Sequence, residues 1–324
     1  MNTIICDLCP KHCRLRPGDR GNCRVRTNQD GKLQTLVYGN PCAVHVDPIE
    51  KKPLFHFLPT SKAFSIATAG CNLHCKYCQN WQISQRPPEE TNNYDMPPEI
   101  VVEKAIETDC QSIAYTYTDP VIFYEYAFDT SKAAHQKGIR NVLVTAAYIE
   151  QKPLKDLCKY TDAANVDLKG ITDEFYRKMS DATLQPVLDA ILTMIKLGVW
   201  VELTNLIVPT WNDQEKDIRQ LCRWVYKNAG PDVPMHFSRF WPQHKLKNLP
   251  PTPLKVMSRA WEIAKEEGLH FPYVGNVPGH PGNNTYCPHD GKIIIRRRGY
   301  MITENHVING HCTFCKNSIP GVWS

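Results

Sequence analysis

Ala69-Gly-Cys-Asn-Leu-His-Cys-Lys-Tyr-Cys-Gln-Asn-Trp81 follows directly on the apolar run 64–69 and holds Cys71, Cys75 and Cys78 in the spacing C-x3-C-x2-C. Four-iron four-sulfur clusters are normally held by four thiolates. A tight group of three predicts a cluster with one iron left without a protein ligand, open to a substrate or cofactor. The competing use of such cysteines is half of a zinc site, for which C-x2-C is a common spacing. The third cysteine, the strand-like run before it and the aromatic Tyr77 inside it fit the cluster better.

Outward from this loop, short β-rich runs alternate with segments of helical periodicity, the pattern of βα units and a parallel sheet. Strands are expected at 64–69, 112–117, 141–146, 163–168, 200–208 and 235–240, with a short seventh at 270–274. Helices are expected at 98–108, 122–136, 154–160, 185–197, 213–228 and 254–267. The predicted fold class is α/β, a partial (β/α)6 TIM-like barrel carrying Cys-rich N-terminal and C-terminal extensions. Its divisions are a Cys-rich segment at 1–60, the barrel at 61–275 and a Cys-rich hairpin or knuckle at 276–324. Barrel enzymes build their sites at the carboxyl ends of the strands. Thr116-Tyr-Thr-Asp-Pro120, Asp167-Leu-Lys169, Glu202-Leu-Thr-Asn205 and His236-Phe-Ser-Arg239 are therefore all expected at one mouth. Thr118 or Asp119 before Pro120 also reads as a helix start. Asp167 and Lys169, two apart in extended chain, share a face. Trp211, Trp241, Tyr115, Tyr117 and Tyr124 could line an apolar substrate pocket, although core packing is the more frequent use of aromatics.

In the N-terminal segment Cys6, Cys9, Cys13 and Cys23 stand at C-x2-C-x3-C-x9-C, with too few apolar residues around them for a core of their own. Four thiolates suit structural zinc or an auxiliary iron–sulfur cluster. Near the other end Cys287, Cys312 and Cys315 look like two halves of a zinc knuckle, the first half imperfect, flanking the strand-like run 292–297. The missing position is occupied by Asp290 with His289 beside it, and either could be the fourth ligand. Cys42, Cys110, Cys158 and Cys222 are isolated and read as buried thiols.

Composition sets the outer limits. The chain has 324 residues, 42% hydrophobic and 22% charged, with a formal net charge of +5. These are globular values, and no apolar run approaches membrane-spanning length. Met1-Asn-Thr-Ile-Ile-Cys6 has no basic region followed by an apolar stretch, so a cytoplasmic protein is expected. Fourteen cysteines in that setting read as metal ligands and thiols rather than disulfides. The only basic run is Arg296-Arg-Arg298, read as the solvated face of a hairpin strand, and nucleic acid is not an expected partner.

The cysteine loop with its aromatic, C-x3-C-x-Tyr-C, resembles that of the radical S-adenosylmethionine (SAM) superfamily. Cys6-Asp-Leu-Cys-Pro-Lys-His-Cys13, Asp47-Pro-Ile-Glu-Lys-Lys-Pro53, Tyr115-Thr-Tyr-Thr-Asp-Pro120, Asp167-Leu-Lys-Gly170, Phe237-Ser-Arg-Phe240 and Ile319-Pro-Gly-Val-Trp323 extend the likeness across most of the chain. Together they resemble the radical SAM protein of the AmmeMemoRadiSam system, a group similar to pyruvate formate-lyase activating enzyme. The resemblance implies a 4Fe-4S cluster on Cys71, Cys75 and Cys78. It also implies SAM bound by Tyr77, Thr116, Asp119, Asp167, Lys169 and Asn205, with His236 and Arg239 as weaker candidates. It implies an electron donor such as flavodoxin or ferredoxin, and an association with Memo-type and AMMECR-type proteins. Asp119 stands where relatives carry Glu, and Asp290 where a cysteine is expected. The leading expectation is an oxidoreductase-like enzyme that makes a 5′-deoxyadenosyl radical. The alternatives are a glycyl-radical activating enzyme acting on a partner protein, and a non-catalytic metal- or nucleic-acid-binding module.

Overall fold

The computed structural model describes residues 3–324. Its centre is one eight-stranded sheet in which the strands lie in chain order. The strands are β1 (Ala43–Pro48), β2 (Lys62–Ala67), β3 (Ser112–Tyr115), β4 (Arg140–Thr145), β5 (Ala163–Asp167), β6 (Trp200–Ile207), β7 (Met235–Arg239) and β8 (Pro272–Gly275). From β2 onward every neighbouring pair is parallel, while β1 runs antiparallel to β2 with Ala43 opposite Ala67 and Pro48 opposite Lys62. β8 and β1 are the two ends, so the sheet is open.

Helices α1 (Pro98–Glu107), α2 (Tyr124–Gln136), α3 (Gln151–Cys158), α4 (Gln185–Lys196), α5 (Glu215–Asn228) and α6 (Leu254–Glu266) connect the parallel strands. The α5 sequence shows why they form and how they dock. Glu215 and Asp217 sit in its first turn and Lys227 in its last, complementing the helix dipole. Ile218, Leu221, Cys222 and Val225 recur at three- and four-residue spacing and are buried against the sheet. Each full burial of such an aliphatic side chain contributes about 1.5–3 kcal/mol.

The six expected strands and six helices are all present, and 270–274 does hold a seventh parallel strand, β8. β1 was not legible. It is an edge strand with His45 and Val46 exposed and a proline at its end, so its pattern does not alternate cleanly.

Outside the sheet the cysteine-rich ends fold as small hairpins. The N-terminal ones pair Ile4–Ile5 with Arg14–Leu15 and Arg26–Gln29 with Lys32–Thr35. The C-terminal part has a three-stranded piece, Thr285–Tyr286, Ile293–Arg298 and Met301–Asn305, and a small pair, Val307–Ile308 with His311–Cys312. Its own apolar cluster of Ile294, Ile295, Cys287, Cys312 and Ile319 packs on Phe55, Phe271 and Tyr273.

The terminal Ile319-Pro-Gly-Val-Trp323 is a strap. Val322 N–H donates to His56 O at 2.7 Å, Leu58 N–H to Val322 O at 2.7 Å, and the His56 ring bonds Pro320 O at 2.7 Å. A Cβ on Gly321 would lie 2.7 Å from the Trp323 ring and 2.8 Å from His56 O, so only glycine lets the strap lie this close.

The arginine triplet does not form a uniform solvated face. Strand alternation turns Arg297 inward, where it lies 4.1 Å from the Phe55 ring centre and donates to Thr285 and Phe55 O. Arg296 pairs with Glu304 on the surface. Among the described residues no helix is long and apolar enough to cross a membrane, and all fourteen cysteines are free thiols.

Candidate active site

The carboxyl ends of the parallel strands open onto one cavity of about 490 Å3. Cys71, Cys75 and Cys78 enter it from the loop after β2, Thr116 to Asp119 from the end of β3, and Val144 and Ala146 from β4. Asp167 and Lys169 come from β5, Thr204 and Leu206 from β6, Ser238 from β7 and Asn276 from just beyond β8. This is the mouth that the strand ends predict.

The cysteine loop carries no regular structure and is fixed by its neighbours. His74 N–H donates to Ser180 O at 3.0 Å and Lys76 N–H to Met179 O at 2.9 Å, both in the π-helical turn Tyr176–Ser180. The Asn72 amide donates to Tyr148 O at 2.8 Å. Gly70 takes φ +86°, and a Cβ there would fall 2.4 Å from Cys23 O, so the loop rests directly on the N-terminal cysteine segment.

Donors surround the three thiols. Leu73 N–H points to Cys71 Sγ at 3.4 Å, and the Ser84 hydroxyl lies 3.2 Å from Cys78 Sγ. Burial, with the Asp119 carboxylate and the other thiols adding to it, pushes the Cys71 thiol well above its ordinary range. Burial raises the Cys78 thiol as well, so these two sulfurs become thiolates only with cations to offset them, as iron would. Lys169 is one fixed cation nearby. It is 3.0 Å from Asp167 and 5.9 Å from the Tyr77 ring centre. Burial opposes its charge, but Asp167 and the Cys75 sulfur more than offset that and hold its ammonium well above the usual lysine range.

Asp119 does cap a turn, as the sequence allowed: one oxygen accepts from Val121 N–H at 3.1 Å and from the Thr145 hydroxyl at 2.9 Å. The other accepts from Ala146 N–H at 2.8 Å, tying the β3 end to the β4 end. Burial raises its pKa, with those donors working against the rise. Most of its accepting capacity is used within the protein, so Asp119 shapes the cavity floor as much as it offers a ligand. Tyr77 buries its ring and bonds Ser180 through its hydroxyl at 3.1 Å.

Three expected contacts lie elsewhere. The Asn205 amide donates to Leu168 O at 2.7 Å, and its neighbours Thr204 and Leu206 take the cavity face. His236 is buried against Glu202 at 2.7 Å, with Phe55 and Tyr273 on its ring; Ser238, two residues on, lines the cavity instead. Glu202 also accepts from Phe55 N–H and His56 N–H, which fixes the segment under the sheet rather than the mouth. Arg239 stacks on Trp241 at 4.7 Å and donates to Thr252 O.

Sequence reasoning gave no role to Lys51 and Lys52, which line the cavity together with Tyr117, a residue of the expected mouth. Both lysines pair with Asp47, at 2.8 Å and 2.6 Å, and the Tyr117 hydroxyl also donates to Asp47. Lys52 lies 4.7 Å over the Tyr117 ring, and burial, partly offset by Asp47, pulls its pKa down to about 8. The available signal was the run Asp47-Pro-Ile-Glu-Lys-Lys, an acid four and five residues before two bases. Tyr300, at the tip of the C-terminal hairpin, also reaches the cavity.

At the N-terminus Cys6, Cys9, Cys13 and Cys23 line one small cavity of about 20 Å3 together with Arg26 and Asn72. Arg26 is buried and pairs with Glu125 at 2.7 Å, and its Nε has no partner among the described residues. At the C-terminus it is Asp290, not His289, that joins Cys287, Cys312 and Cys315 in a compact group.

The radical SAM superfamily profile matches residues 65–222, the span from β2 into α5 that contains this loop. The chain belongs to the radical SAM superfamily. It is 49% identical over 320 residues to the uncharacterized protein MJ0808 of Methanocaldococcus jannaschii, covering 98% of this chain and 95% of that one. It is 23% identical over 168 residues to the pyruvate formate-lyase-activating enzyme of Clostridium pasteurianum, covering 49% of this chain and 67% of that enzyme. A radical SAM methyltransferase from Sphaerobacter thermophilus shares the fold, with a TM-score of 0.54 over 67% of each chain at 14% identity. Membership implies an iron–sulfur cluster and SAM. Three cysteines lining one cavity of this size, Cys75 buried and Cys71 and Cys78 half-buried, with donors and a lysine around them, fit both.

Proposed function

We propose that this protein is a radical SAM enzyme that cleaves SAM reductively and uses the 5′-deoxyadenosyl radical to take a hydrogen atom from a substrate held over the cavity. The observation that carries the reading is the convergence of Cys71, Cys75 and Cys78 with Lys169, Asp167, Thr116 and Asp119 on a single cavity at the strand ends. A 4Fe-4S cluster held by those three thiolates would supply the one electron that breaks the sulfonium C–S bond, releasing methionine and the 5′-deoxyadenosyl radical, which becomes 5′-deoxyadenosine on taking the substrate's hydrogen atom. The Lys169 ammonium and the Asp167 carboxylate offer partners of both signs, for the carboxylate and for the ammonium or ribose hydroxyls of SAM. The end of β3, braced by Asp119, presents Thr116 beside them. Tyr77, Leu206 and Val144 form apolar wall that keeps water from a primary radical.

An electron donor of flavodoxin or ferredoxin type belongs to this reading, because reductive cleavage consumes one electron per turnover. So do a reducing, cytoplasmic setting, supported by fourteen unpaired thiols, and membership of the AmmeMemoRadiSam group with Memo-type and AMMECR-type associates, supported by the motifs quoted above. The four N-terminal cysteines hold zinc or an auxiliary iron–sulfur cluster. The unpartnered Arg26 Nε beside them favours an anionic centre.

A second reading is a glycyl-radical activating enzyme. The Asp167–Lys169 pair and the likeness to pyruvate formate-lyase-activating enzyme support it. The nucleic-acid-binding alternative, which rests on the C-terminal knuckle and the triplet 296–298, is weakened because Arg297 is buried, leaving only Arg296 and Arg298 exposed.

The experiment is anaerobic reconstitution with iron and sulfide, then chromatography for 5′-deoxyadenosine after adding SAM and dithionite, with Cys75→Ala as control. The nucleoside is expected only from the intact triad. Its absence from a cluster-loaded wild-type protein would overturn the enzymatic reading. A glycyl-radical electron paramagnetic resonance signal on an added partner would favour the activating enzyme.

A further inference from the structure

The Cys287 and Cys312 turns are built alike. Cys287 N–H donates to Lys292 O at 2.8 Å and Gly291 N–H returns to Cys287 O at 2.9 Å. Cys312 N–H donates to Asn317 O at 2.9 Å and Lys316 N–H returns to Cys312 O at 2.9 Å. In each, the fifth residue closes the turn in the left-handed region, Gly291 at φ 71° and Lys316 at φ 64°. A lysine rarely adopts that conformation, so the second turn keeps the shape of the first at some cost in strain. Superposing the two patterns puts Asp290 in the place that Cys315 holds, three residues after the leading cysteine. His289 falls one position short.

Side-chain geometry agrees. One ligand atom from each of Cys287, Asp290, Cys312 and Cys315 lies within 4.8 Å of all the others. Cys287 Sγ and Cys315 Sγ are 3.5 Å apart. At a zinc–sulfur distance of about 2.3 Å, a tetrahedron has sulfurs roughly 3.8 Å apart, so the group is sized for a single ion rather than a cluster. The Asn317 amide adds a contact to Cys315 Sγ at 3.5 Å.

We propose that Cys287, Asp290, Cys312 and Cys315 bind one divalent ion of the zinc class in a closed tetrahedral site that staples the C-terminal module. Binding takes up the ion and releases the thiol protons to solvent. With four protein ligands and no open position, the ion is structural. It joins the turn before the hairpin Ile293–Asn305 to the turn after it, so the hairpin is held at its base. Its tip carries Tyr300 to the rim of the SAM cavity. The ion thus positions a wall of the active site without touching the reaction, and it stands whether or not the radical SAM reading of that cavity does.

The test is metal analysis of the full chain, with iron and zinc measured separately. One zinc per chain should disappear from Cys312→Ser and from Cys315→Ser while the iron of the reconstituted protein stays, and Cys75→Ala should show the reverse. Asp290 is exposed, so Asp290→Ala should fold. Its zinc affinity, measured by competition with a chelating dye, should fall by more than the roughly 10- to 100-fold that outer-shell substitutions cost. His289→Ala should match wild type. Hydrogen exchange in 293–305 should rise on chelation. A zinc content of Cys315→Ser equal to that of wild type, a loss in His289→Ala equal to that in Asp290→Ala, or a Cys287–Cys315 disulfide in protein purified under reducing conditions would each overturn the assignment.

Discussion

The buried His56 should make the C-terminal strap acid-labile by a calculable amount. Its ring lies between Pro320 O at 2.7 Å and the Tyr273 hydroxyl at 2.6 Å, under Phe271, Trp200 and Trp323. With Nδ1–H donating to the carbonyl, Nε2 accepts from tyrosine, and protonation would turn Nε2 into a donor, force the Tyr273 hydroxyl toward Thr285 and place a charge in an apolar surround. Burial pulls its pKa from 6.5 down to about 4. Nearby Glu202 and the Pro320 carbonyl oppose that, and Arg297 and His236 add to it. A depressed folded-state value means that the native chain binds fewer protons than the unfolded chain between those two pH values. The stability is therefore fully present above pH 6.5 and lost as pH falls toward 4, about 1.4 kcal/mol by pH 5.5 and about 3 kcal/mol by pH 4. Other groups titrate too, so the assay is a difference: urea midpoints of wild type and His56→Phe, at pH 7.5 and pH 5.5. The variant should be weaker at pH 7.5, since it strands a buried carbonyl and hydroxyl. The gap should then narrow by about 1.4 kcal/mol at pH 5.5. A gap that stays constant across this range would refute the argument that His56 is held neutral.

Two further substitutions probe the active site. Gly70→Ala places a Cβ 2.4 Å from Cys23 O and 2.7 Å from Val25 Cγ1 at φ +86°. The conformation alone costs about 1–2 kcal/mol, and the backbone collision should also lift the cysteine loop, giving a lower melting temperature and less bound iron per chain after reconstitution. Normal iron content with normal melting would show that the two segments can part freely. Lys169→Ala should weaken SAM binding in calorimetry by about 1.5–3 kcal/mol, the range for hydrogen bonds to charged groups, while leaving iron content intact. Unchanged affinity would remove Lys169 from the SAM contacts.

The sequence was sufficient for the scaffold and for the centre of the site. Six βα units announce themselves through apolar runs and helical periodicity, because buried parallel strands and one-sided helices each need an unmistakable pattern. Cys71, Cys75 and Cys78 are close in sequence, so their proximity in space needs little folding. That Thr116, Asp119, Asp167 and Lys169 line one cavity follows from the rule that strand ends face one mouth, and Tyr77 comes with the cysteine loop.

What failed to show in the sequence depends on contacts between distant segments or on which side of a strand faces in. Asn205 is on the right strand but on the face that points away from the cavity, one residue out in a period of two, whereas His236 shares the face of Ser238 but lies two residues earlier along the strand, taken up by Glu202. Lys52 becomes a cavity residue only because Asp47 and Tyr117, seventy positions apart, close around it. Arg297, the middle of an apparently solvated basic triplet, is buried because the C-terminal module folds back over Phe55 and Tyr273. Asp290 rather than His289 completes the C-terminal group for the same reason. The two turns meet 25 residues apart in sequence, and only their relative placement decides which side chain points between them. Local chemistry and periodicity are written residue by residue along the chain, whereas the pairing of segments far apart is settled by packing and burial in the folded state.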